Sequence, residues 1–80
     1  MNKYQITNML MQNYDAFESL KEKCKKTTNG EESLASAVLS INAILMHSFD
    51  MNVKISTCES LVYYIRSKQW MKEDRSDERI

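Results

Sequence analysis

Proline is absent from this 80-residue chain, and glycine occurs once, at Gly30. These two residues are the usual breakers of helices, so their scarcity leaves long stretches free to be helical and predicts an all-α fold. Only Met51 to Ile55 shows the alternation of a strand, and it is too short to found a sheet. A single glycine also excludes a phosphate-cradling loop, in which several glycines let backbone N–H groups close on the anion. Charge of one sign is missing as well. Eleven basic and eleven acidic side chains cancel, so no global field draws the molecule toward nucleic acid or a membrane surface.

Two cysteines are too few for a disulfide framework, and Met1 to Gln5 has neither the basic segment nor the apolar run of a signal peptide. The sequence therefore predicts a cytoplasmic protein in which Cys24 and Cys58 are reduced and buried. No stretch reaches the ~20 apolar residues that a membrane-spanning helix requires. With 42 % hydrophobic residues, a chain this short buries only about 60 % of the surface its unfolded form exposes. Association with a second copy or with a partner is the natural way to cover the remainder.

What is present organises around Ser33 to Phe49, which carries no Asp, Glu, Lys or Arg. Leu34, Val38, Ile41 and Leu45 recur at helical spacing, and Leu39, Ile44, Met46 and Phe49 extend the apolar surface round the cylinder. Such a helix is predicted to be buried on most sides. Ser33, Ser36 and Ser40 form a strip of small side chains that lets another helix approach closely. A single chain has few side chains left to cover Leu39, Ile44 and Met46, which makes these three the predicted contact of a homodimer.

Before it, Ile6, Leu10, Phe17, Leu20 and Cys24 form the apolar stripe of a first helix predicted from Lys3 to Lys26. Its lysines 21, 23, 25 and 26 lie at the negative end of the helix dipole and are interleaved with Glu18 and Glu22. Thr27-Thr28-Asn29-Gly30 is the turn, after which Thr28 with Glu31, or Asn29 with Glu32, can cap the central helix. Asn52 is placed to accept positive φ in the next connection. Ser56-x-x-Glu59 reads as a capping box opening a third helix that runs to Lys72 with Cys58, Leu61, Val62 and Ile65 inward. The predicted architecture is a three-helix bundle, a helical hairpin plus a third helix, which dimerisation could complete. It forms one domain over 1–72, and 73–80 is a charged tail predicted to be disordered.

Chemistry has little to stand on. His47 is the sole histidine, without a neighbouring nucleophile, and no catalytic residue or cofactor is assigned. Zinc would need Cys24, His47, Asp50 and Cys58 to be gathered by the fold, with no paired spacing to favour it, so no metal is assigned either.

Recognition is better represented. Tyr63 and Trp70 stand two helical turns apart with Arg66 between them and Tyr64 beside them. Aromatic and arginine side chains combine large contact areas with polar tips, which suits a protein-binding surface. The favoured reading is a non-catalytic protein-interaction module that self-associates, or docks on a larger protein as inhibitor or adaptor. The abundance of Asn, Lys, Ile and Met gives it the composition of a low-GC bacterium or its phage.

The alternative is DNA binding. Ile41 to Trp70 can be laid on a helix-turn-helix pattern, and "VKISTCESLVYYIRSK" resembles the second half of that motif in small phage and plasmid regulators. The resemblance implies a transcriptional regulator in which Thr57, Ser60, Tyr64 and Lys68 face a DNA groove. The turn has no glycine, and His47 stands where the pattern has an apolar residue.

Overall fold

Asn2 begins the first helix by a reciprocal cap. Its side chain accepts the Gln5 N–H while the Gln5 side chain accepts the Asn2 N–H, both at 2.9 Å. The computed structural model describes residues 1–68, together with every side chain in that span except that of Lys68. It is all-helical over these residues, with α1 (Lys3–Met11), α2 (Tyr14–Lys26), α3 (Leu34–Phe49) and α4 (Ile55–Lys68).

The first helix predicted from Lys3 to Lys26 is thus two, and the bundle has four helices rather than three. The cause is Asn13. An uninterrupted helix would set inward positions at 6, 10, 13, 17, 20 and 24, and the third of these is polar. Instead of entering the core, the Asn13 side chain turns to the Ala16 N–H, at a long 3.4 Å, and becomes the N-cap of α2. Thr7 solves the same problem differently: it is buried, and its hydroxyl donates to the Lys3 carbonyl at 2.8 Å.

The other predicted helix ends shift by a few residues. Gly30 takes positive φ, as the Asn-Gly turn requires, but neither Thr28 nor Asn29 caps α3. Their side chains are engaged earlier, Thr28 donating to the Lys25 carbonyl and Asn29 accepting the Glu31 N–H. The N-cap is Ser33, which accepts from Ser36. α4 begins at Ile55, so Ser56 lies inside its first turn, and the Lys54 carbonyl takes the N–H groups of Thr57 and Cys58.

Positive φ after α3 falls on Asp50, at φ 53 and ψ 41, rather than on Asn52. Met51 then donates its N–H to the Leu45 carbonyl, closing the helix end in the usual left-handed manner. A carboxylate is poorly suited there, because it sits at the negative end of the dipole and pays the steric cost of a Cβ. Asp50→Gly is therefore expected to stabilise the fold by about 0.5 kcal/mol, roughly 2–4 °C in Tm, measured by thermal circular dichroism. An unchanged or lower Tm would show that Asp50 makes a compensating contact.

The core is Ile6, Leu10, Phe17, Leu20 and Cys24 from α1 and α2, Ala37, Val38, Ile41 and Leu45 from α3, and Cys58, Leu61, Val62 and Ile65 from α4. α2 and α4 each pack against all three other helices, and the α3–α4 contact is the most extensive. The prediction that the central helix is buried on most sides is corrected accordingly. One face of α3 is buried, and the opposite one meets solvent.

Candidate interaction surface

α3 projects Ala35, Leu39, Ala43 and Met46 away from the core, on one side of the cylinder. Leu39 is 60 % exposed and Met46 is 44 % exposed. They stand seven residues apart, about 10 Å along the helix. Ser36 and Ser40 border the strip, half-buried, and His47 is exposed in the last turn. The predicted dimer residues separate here, since Ile44 points the other way and packs against the core.

No charged side chain interrupts α3, whereas α2 turns Asp15, Glu22, Lys25 and Lys26 to solvent and α4 turns out Glu59. A pair of charges brackets the start of α3. Lys23 bonds the Glu32 carboxylate at 3.0 Å, and the Ser36 hydroxyl donates to the same carboxylate. Those two contacts, Ser36 first and the Lys23 ammonium second, hold the Glu32 carboxyl below the usual range and fix the loop that leads into α3. On α2, Lys21 pairs with Glu18 at 2.9 Å.

The aromatic strip divides into two settings. Tyr63 is exposed, its ring 5.3 Å from the Arg66 guanidinium carbon, and the pair lines a groove of about 380 Å³ with Thr28 and Ser67. Tyr64 turns toward α1. Its ring meets that of Tyr4 edge-on at 5.2 Å, with the Lys3 ammonium 5.6 and 5.7 Å from the two ring centres. Trp70 and the side chain of Lys68 lie outside the described residues, as does the tail 73–80.

Thr57 and Ser60 line a second groove, of about 450 Å³, together with Ser56 and the N-terminal residues Met1, Asn2, Lys3 and Tyr4. Thus the stripe of α4 assigned to DNA in the alternative reading runs beside α1, and Tyr64 is engaged there. The sequence gives no sign of this, because nothing in Tyr4 or Tyr64 alone announces which rings will meet.

Asn42 stands half-buried within the otherwise uncharged α3. Its amide donates to the Val53 carbonyl at 3.2 Å and lies 3.9 Å from the Cys58 sulfur, joining α3 to the segment that leads into α4. The signal was available: an amide inside an otherwise uncharged helix needs partners if it is not to face water.

Both thiols are free and buried. Burial pushes Cys24 up to about 11 against the smaller opposing fields of Arg66 and Lys23. Cys58 is also raised by burial, and its contact with Asn42 opposes the shift. Since the thiolate is the nucleophile, burial and these shifts both oppose reaction of the thiols in the folded chain. Labelling by a disulfide reagent at neutral pH is expected to run at least about a thousandfold slower than in urea, limited by unfolding. Rapid labelling of one thiol in native buffer would reveal a local opening.

Among the described residues, no three of His, Cys, Asp and Glu converge as a metal site, and no helix is long and apolar enough to cross a membrane. Comparison with protein families, curated proteins and solved structures gives no match.

Proposed function

We propose that this chain is a non-catalytic protein-interaction module whose binding surface is the outward face of α3. One observation carries the reading: a four-turn helix on the surface of the bundle presents Leu39, Ala43 and Met46 to water with no charge among them. Isolated apolar side chains on a surface need no explanation, but a continuous uncharged helix face is what a partner covers. Met46 adds a flexible, polarizable contact, and small side chains on either side allow close approach. The exposed Tyr63 with Arg66 stacked on it supplies a second contact for a larger protein.

Two features favour this reading over DNA binding. The chain has no net charge, and α1 lies against the side of α4 that would have to enter a groove. The test is affinity capture with the wild-type chain and with Leu39→Lys/Met46→Lys, both helical by circular dichroism. A protein retained by the first and lost from the second is the expected result. Identical captures, or binding of a random-sequence duplex tighter than about 10 μM that weakens steeply with salt, would overturn the reading in favour of other surfaces or of phosphate contacts.

A further inference from the structure

Asn29 and Gly30 stand together in the exposed connection between α2 and α3. Asparagine is a labile residue because its side-chain carbonyl carbon is an electrophile within reach of the next backbone nitrogen. Three features restrain that attack: a side chain that crowds the nitrogen, a hydrogen bond that occupies its N–H, and burial away from solvent. None of them operates here. Gly30 has no side chain, its φ is +83, and nothing lies within 4 Å of the place a Cβ would take. Its N–H has no acceptor among the described residues, whereas the N–H groups of Glu31 and Glu32 both reach the Lys26 carbonyl. Asn29 and Gly30 are both exposed.

The Asn29 amide is also held in a polarised state. Its Oδ1 accepts the Glu31 N–H at 3.1 Å, and its Nδ2 donates to the Glu31 carboxylate at 3.2 Å. The first of these bonds meets the oxygen on which negative charge develops when Cγ is attacked, as an oxyanion-hole donor does.

We propose that Asn29 is a site of spontaneous deamidation in the folded chain. The Gly30 nitrogen loses its proton to a solvent base and forms a bond to Asn29 Cγ, closing a five-membered ring. The Cγ–Nδ2 bond breaks, and the departing nitrogen takes a proton from water and leaves as ammonia. Water then opens the succinimide. Addition at Cγ gives aspartate, and addition at the main-chain carbonyl gives isoaspartate, in which the backbone runs through the former side chain. Either product adds one negative charge to a chain that has no net charge, beside Glu31 and Glu32. Either also removes the amide donor to the Glu31 carboxylate.

Asn52 is the internal control, exposed in a connection as Asn29 is but followed by the β-branched Val53. The full-length chain is incubated in warm, mildly alkaline native buffer and mapped by peptide mass spectrometry, with isoaspartate detected by protein isoaspartyl methyltransferase. Acid is expected at 29 at least about tenfold faster than at 52, where the branched neighbour hinders the nitrogen. The native rate should lie within about tenfold of the rate in urea, since a site that reacted only after global unfolding would lag by the folding equilibrium constant. Asn29→Gln, helical by circular dichroism, should lose the isoaspartate signal, because its longer side chain must close a six-membered ring. No acid at 29, equal conversion at 52, or an undiminished isoaspartate signal in Asn29→Gln would overturn the assignment. A native rate more than about tenfold below that in urea would overturn it too, by showing that the bonds to Glu31 protect the amide.

Discussion

Leu61→Ala is expected to lose about 2–5 kcal/mol of folding stability, the usual cost of emptying a fully buried leucine site. A chain of 80 residues has a total of roughly 4–12 kcal/mol at the common per-residue average. The variant should therefore be at or near the unfolding transition at 25 °C. Leu61 carries this weight because it is wholly excluded from water on α4, which, like α2, packs against each of the other three helices. Leu39→Ala is the same chemical change on the surface of α3, where the side chain is 60 % exposed. It should cost no more than about 0.5 kcal/mol. Urea titrations of both variants followed by circular dichroism make the comparison. Equal losses would mean that the leucine at 39 is core and that the outward face does not exist.

Asn42→Ala is expected to lose about 1–3 kcal/mol, because it strands the half-buried carbonyl of Val53 without its donor. The change should be felt at Cys58 as well. Asn42 holds the Cys58 thiol down slightly against the rise caused by burial, so removing the amide makes that thiol less acidic, not more. Faster labelling of Cys58 in the variant can then come only from opening of the start of α4, not from easier ionisation. Asn52→Ala, an exposed amide in the same connection, serves as the control and should leave both stability and labelling unchanged. A variant at 42 as stable as the wild type would show that water replaces the bond to Val53 without loss.

The residues that build the core were legible because they obey a helical period. Ile6, Leu10, Phe17, Leu20 and Cys24, and again Cys58, Leu61, Val62 and Ile65, fall where their spacing puts them. The helix count was misread at one residue. Asn13 sits on the inward stripe, where a polar side chain either finds a partner or ends the helix, and its capping role is visible only once the break is considered. Helix ends were less legible for a related reason: several Ser, Thr and Asn residues in each connection can cap, and the choice depends on how the flanking helices pack.

The surface of α3 was the largest departure. Its apolar residues suggested burial on most sides, but four short helices surround a core that has room for only one face of each. Composition alone could not say that Leu39 and Met46 would be the residues left outside while Ile44 was taken in, since that depends on the angle at which α3 meets α4.

The most direct measurement is a methyl spectrum of the chain labelled at its methionines, recorded over a dilution series. Met1 and Met11 are exposed like Met46 but lie on α1 or before it, so they report any association that does not use α3. Of these three methyls, a concentration-dependent shift of Met46 alone is the result expected of an interaction surface on the outward face of α3. Movement of Met1 or Met11 with Met46 unchanged, or no movement of any of the three together with dimer by sedimentation, would place association elsewhere on the molecule and contradict it.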